Sequence, residues 1–164
     1  MMRNLCDVIE EYIRDLLKDA EELVIQRGEL ASAFRCVPSQ ITYVLSTRFT
    51  LDKGYVVESR RGGGGCIRIY RIKVPKPTTL LEWLDRLETG LEEALAFGII
   101  ASLEEQGIIT AREGAIMRGA LRKEVLSRND GGSGSDGEDL DVRFTRARVF
   151  CSMIRNLLGV SEGN

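Results

Sequence analysis

Gly62, Gly63, Gly64 and Gly65 stand in a row between two strand-like runs. A glycine run offers no side chain to bury; what it allows is positive φ and close approach of bare backbone to another molecule. Tyr55, Val56 and Val57 precede it, and residues 66–72 follow it, both segments rich in the aromatic and β-branched residues that strands favour. This predicts a hairpin with a glycine tip, entered through Arg60 and Arg61. Upstream, Ile41, Val44 and Leu45 fall on one stripe of a short helix, with Val37 at its mouth. Off that stripe stand Ser39, Gln40, Thr42, Tyr43, Ser46, Thr47 and Arg48, side chains suited to base edges and phosphates. Pro38 fits the first turn, where a missing N–H costs nothing. An earlier short helix, residues 29–34, reaches it through a turn at Arg35 and Cys36. Two helices across a tight turn, then a glycine-tipped hairpin, make the layout of a winged helix-turn-helix, whose second helix presents its N-terminus to the major groove.

Charge is distributed to match. The chain carries a net −2, which on its own argues against nucleic acid. Residues 35–76 hold nine basic residues against two acidic ones, a local net of +7, which leaves −9 for the remainder. A basic island in an acidic chain is the electrostatic footprint of phosphate contact; the competing reading is a set of arginines that merely solvate an exposed strand.

The bulk numbers exclude several classes. There is no histidine, which removes the commonest general base and zinc ligand. The glycine run lacks the Lys-Ser/Thr ending of a phosphate loop. No enzyme activity, metal or cofactor is expected. The four cysteines form no C-x-x-C pair and read as small apolar residues of a reducing compartment. No apolar run reaches membrane-spanning length, and the N-terminus lacks the core of a signal peptide, so a cytoplasmic protein is expected.

The rest of the chain reads as helices. Asn4 caps a first one, with Leu5, Val8, Ile9, Tyr12, Ile13, Leu16 and Leu17 at helical spacing on one core-facing side. Leu23, Val24 and Ile25 suit a brief strand beside the hairpin. Pro75 and Pro77 stiffen a linker, which places a domain boundary there. Thr79 with Glu82 predicts a capping box and a helix from about Leu80, residues 91–106 a second, and Thr110 with Glu113 another box ahead of a helix over 115–126. The short breaks suggest antiparallel neighbours. Residues 127–139 are a polar, glycine-rich loop. A last helix over 140–158 carries Arg143, Arg146, Arg148 and Arg155 on one side, for nucleic acid or, more simply, for pairing with the acidic second helix of this domain.

One resemblance is specific. Residues 36–45, 47–50, 54–59, 61–65 and 67–69 resemble the CtsR family, repressors of class III stress genes in Gram-positive bacteria, and residues 103–126 are similar as well. The resemblance implies a mainly α fold with a small β-hairpin wing. Residues 1–74 would form the winged helix-turn-helix, 75–78 the linker, and 79–164 a helical dimerisation domain, four-helix-bundle-like in the homodimer, with the flexible loop at 127–139. It implies binding to a tandem heptamer repeat in double-stranded DNA at promoters of Clp protease and chaperone genes. It places a DNA contact at Arg27, and at Arg61 both a minor-groove contact and the target of a protein-arginine kinase, after which the repressor is released and degraded by the Clp machinery. It associates the glycine run with heat sensing. From the residues and the resemblance together, the expected DNA-binding set is Arg27, Ser39, Gln40, Thr42, Tyr43, Thr47, Arg48, Lys53, Arg61, Gly62, Gly63, Gly64 and Gly65. The competing reading is a winged-helix interaction adaptor without sequence-specific DNA binding.

Overall fold

The computed structural model describes residues 4–60, 65–75, 77–87, 89–127 and 140–159. Arg61, Gly62, Gly63, Gly64 and Lys76, and all of residues 128–139 of the expected loop, therefore lie outside the described residues. The chain forms two compact units, residues 1–72 and 73–164.

The first unit opens with α1 (Leu5–Lys18), capped by the Asn4 side chain, which accepts the Cys6 N–H at 3.2 Å. Its buried stripe is Cys6, Ile9, Ile13 and Leu17. The other expected core residues, Leu5, Val8, Tyr12 and Leu16, remain 37–46% exposed. Seven apolar residues span more of the helix circumference than this small core can cover, and Cys6 takes the central place that the sequence pattern gave to its neighbours. Tyr12 is held at the margin by an edge-to-face contact with Phe34, 5.3 Å between centroids.

Strand β1 (Glu22–Gln26) follows, then α2 (Arg27–Ala33), α3 (Pro38–Arg48), a single 3₁₀ turn at Leu51–Lys53, and strands β2 (Tyr55–Ser59) and β3 (Cys66–Arg71). The sheet is antiparallel in the order β1-β3-β2, with Leu23 opposite Ile69 and Val57 opposite Ile69. Ile67 and Ile69 point from the central strand into the core and are fully buried, beside Ile41, Val44, Leu45 and Phe49. Tyr55 is 4% exposed, stacked edge-on against Phe49 and flanked by the Arg14 and Arg71 guanidiniums at 5.7 and 5.6 Å from its ring centre.

The turn between α2 and α3 is a Schellman motif. The Cys36 N–H donates to Ala31 O at 2.9 Å, and the Arg35 N–H donates to Ser32 O at 3.2 Å. The residue at its left-handed position is Arg35, with φ 52°, where glycine is the usual occupant. A left-handed backbone costs a residue with a Cβ roughly 1–2 kcal/mol.

In the second unit α4 (Pro77–Leu87) begins ahead of the expected start at Leu80, because Pro77 is itself a good first-turn residue and carries the helix back past Thr79. Helix α5 (Glu93–Glu105) is followed by α6 (Ala111–Leu121), whose Thr110–Glu113 capping box is present in both directions. The Thr110 backbone N–H, and then its hydroxyl, hold the Glu113 carboxyl below its ordinary range. The expected continuous helix to 126 instead breaks at Arg122, and a short α7 (Lys123–Leu126) follows. Two side chains cause the break: Arg146 takes the Leu121 carbonyl, and Glu93 takes the Lys123 N–H.

Helix α8 (Leu140–Leu157) buries Val142, Ala147, Phe150, Cys151 and Ile154. Three of its four expected arginines pair with acids of this unit, Arg143 with Glu92 at 3.2 Å, Arg146 with Glu93 at 3.6 Å and Arg155 with Asp85 at 2.7 Å, while Arg148 is exposed. Glu92 and Glu93 open α5, the acidic helix expected as their partner, while Asp85 belongs to α4.

Gly114 of α6 faces the Glu104 side chain of α5. A Cβ there would lie 1.8 Å from Glu104 Oε1. That carboxylate makes a two-pronged pair with Arg118 at 2.8 and 2.7 Å. Gly114→Ala is expected to push Glu104 off Arg118, and the lost pair should cancel the roughly 0.5–1 kcal/mol that alanine gains over glycine within a helix, read by thermal unfolding. An alanine variant more stable than the wild type by that full amount would show that the Glu104–Arg118 pair contributes nothing.

Candidate nucleic-acid interface

Helix α3 exposes its first turn. Val37 stands at the N-cap in an extended conformation, Pro38 follows, and no side chain caps the helix. Its amides and the positive end of its dipole are therefore open to an anionic group. Ser39 and Thr42 are exposed there, and Tyr43 is 57% exposed. The Thr42 hydroxyl donates to Pro38 O at 3.3 Å and the Thr47 hydroxyl to Tyr43 O at 2.7 Å, which leaves their oxygens as acceptors.

Gln40 is placed differently. Its Nε2 donates to Cys6 Sγ on α1 at 3.0 Å, and the side chain is half-buried. It braces the reading helix against α1, and it reaches a base only by giving up that bond.

The expected phosphate contacts sit at the end of α3. Arg48 bridges to Asp7 and Glu10 of α1, each at 3.4 Å. The Arg48 side chain and Asp7 are exposed and Glu10 is partly covered; such surface pairs are worth about 0–1 kcal/mol, so a phosphate can displace them. Lys53 donates to the Thr47 carbonyl at 2.7 Å, close to the C-terminus of the helix. Arg68 pairs with Glu22 across β3 and β1 at 3.5 Å. The acids of α1 and β1 thus fold against part of the basic island, which charge counting along the chain does not show.

The wing is rooted at Arg27. Its backbone N–H donates to Gly65 O at 3.0 Å, which ties the start of α2 to the last glycine of the tip. Gly65 has φ +83°, and a Cβ there would stand 3.4 Å from the Arg27 Cβ. A side chain at this position would hold a strained backbone against Arg27. The Arg27 Nε is buried without a hydrogen bond among the described residues. Across the hairpin, the Arg60 N–H donates to Cys66 O at 3.2 Å. These bonds bring Arg27, Arg60 and Gly65 together at the base of the tip. Of the expected wing contacts, Arg61, Gly62, Gly63 and Gly64 lie outside the described residues. On β2 and β3, Tyr70 donates to Glu58 at 2.9 Å, and that bond raises the phenol's pKa.

Comparison with known proteins decides the family. Residues 4–73 match the model described as the CtsR N-terminal HTH domain, and residues 76–131 match the CtsR C-terminal dimerization domain. The chain belongs to the CtsR family. Among curated CtsR relatives, the transcriptional regulator CtsR of Bacillus subtilis is 43% identical over 77% of this chain and 84% of its own. That of Geobacillus stearothermophilus is 41% identical over 76% and 84%. That of Lactiplantibacillus plantarum is 35% identical over 94% and 96%. A crystal structure of CtsR in complex with a 26 bp DNA duplex is similar at a TM-score of 0.58 and 35% identity, covering 94% of this chain and 98% of that one. The CtsR fold, a winged helix-turn-helix with a three-stranded sheet followed by a helical domain, is thus the fold of this chain. The relatives are named as regulators of transcription, not as catalysts. Among the described residues, no helix is long and apolar enough to cross a membrane.

Proposed function

We propose that this chain is a dimeric, sequence-specific DNA-binding repressor of stress genes. The observation that carries the reading is the exposed, uncapped first turn of α3, on a fold with a wing base that Arg27 anchors and whose solved relative was crystallised with a DNA duplex. Ser39, Thr42 and Tyr43 enter the major groove; Arg48 and Lys53 exchange their internal partners for phosphates; Arg27 sits where the wing meets the backbone. Gln40 reads an adenine once released from Cys6, for roughly 1–3 kcal/mol of discrimination.

Arg61 enters the minor groove, where narrow A·T-rich sequence concentrates negative potential. Phosphorylation of Arg61 by an arginine kinase replaces that cation with a negative group, which the DNA phosphates repel, and hands the released repressor to the Clp protease. Ordering the glycine tip costs more entropy than ordering alanines, by roughly 0.5–1 kcal/mol per glycine. That cost grows with temperature and makes heat a release signal. In the second unit Ile116 and Val125 are each 63% exposed, apolar surface suited to covering by a second copy of the chain.

Footprinting tests the proposal. The full chain is expected to protect both halves of a tandem heptamer repeat from a Clp-type promoter and to leave a shuffled duplex unprotected. Equal protection of the two, or none, overturns it.

A further inference from the structure

Arg35 is the one non-glycine residue with positive φ among the described residues. It holds the position of a Schellman turn that glycine fills without strain, and its backbone bonds to Ser32 O and closes the turn before α3. Its side chain serves no purpose inside the unit: it is exposed, and among the described residues it makes no hydrogen bond or ion pair. The other cations near α3 differ. Arg48 is paired with Asp7 and Glu10, Lys53 caps a carbonyl, and Arg68 is paired with Glu22. Arg35 therefore combines a disfavoured backbone with an unspent positive charge, one turn ahead of the open N-terminus of the reading helix.

We infer that Arg35 is a phosphate-binding residue, a cation kept at a glycine position because it contacts the DNA backbone where the strand runs past the α2–α3 turn. The inference rests on the DNA-binding reading above and adds a contact to it. Stability and affinity should move in opposite directions when this residue is changed. Removing the side chain relieves the left-handed strain. It also removes one phosphate contact, which weakens all duplexes alike and lowers the salt dependence by about 0.9 per phosphate.

The test compares wild type, Arg35→Gly and Arg35→Lys in the full chain. Thermal unfolding is measured together with binding to a tandem heptamer duplex and to a shuffled duplex across a salt series. Arg35→Gly is expected to raise the melting midpoint by about 2–6 °C. It should weaken both duplexes by about three- to tenfold at 0.15 M salt and reduce the salt slope by about 1. Arg35→Lys keeps a point charge and should retain most of the slope. A glycine variant with unchanged slope and affinity overturns the inference, and so does one that melts lower than wild type. If the wild type itself fails to prefer the repeat duplex, the DNA-binding reading fails with it; if the wild type prefers the repeat and the glycine variant binds it equally well with the same salt slope, the phosphate contact alone is refuted.

Discussion

Arg146→Ala is expected to cost the second unit about 3–5 kcal/mol, enough to unfold a marginally stable helical domain. The side chain is fully buried on α8. Its Nε donates to Leu121 O at 2.7 Å and its Nη1 to Leu91 O at 3.0 Å, with Glu93 at 3.6 Å. Leu121 is the last residue of α6, and Leu91 precedes α5, so one guanidinium fixes both ends of the hairpin against α8. Without it, the Leu121 and Leu91 carbonyls lose a donor at once, and the partly buried Glu93 carboxylate keeps the Lys123 N–H but loses its counter-ion. Lysine cannot substitute, because one ammonium does not reproduce the planar fork. Denaturant unfolding of the alanine and lysine variants checks this; an alanine variant within about 1 kcal/mol of wild type would mean that the core does not need the cation.

Arg61→Glu is expected to have the largest effect on binding. The residue falls at the entry to the glycine tip, outside the described residues, and its assignment comes from the family resemblance. On the proposed reading, the substitution removes a minor-groove cation and introduces an anion that the DNA phosphates repel. Affinity for the repeat duplex should fall by about a hundredfold or more, while the unfolding midpoint is expected to barely move. Binding within a few-fold of wild type would remove the wing from the mechanism.

What the sequence revealed and what it hid divide by distance along the chain. The Asn4 cap, Pro38 at the head of α3 and the Thr110–Glu113 box are local devices, and each stands where its spacing put it. The strand at Leu23, Val24 and Ile25 was legible for the same reason. The helix start at Pro77 was local too, but two start signals competed, and the proline won over Thr79. The bond between Gln40 and Cys6 joins residues far apart in sequence, so no pattern around Gln40 shows that it braces α1. Likewise the break at Arg122 is imposed by Arg146 and Glu93 from other helices. Charge signs along the chain mark arginines as candidates for nucleic acid; only packing shows that Arg146 is a core residue and that Arg48 faces the acids of α1. Arg35 had a signal of its own, an arginine in a tight helix-to-helix turn where glycine is usual, and only the backbone angle gives that signal its meaning.

A salt-resolved titration of the full chain against the repeat duplex and a shuffled duplex tests the central claim most directly. The account predicts a plot of log K against log salt with a slope of roughly −5 or steeper for both, and a preference for the repeat of about a thousandfold or more. A flat salt response, or equal affinity for the two duplexes, would contradict it.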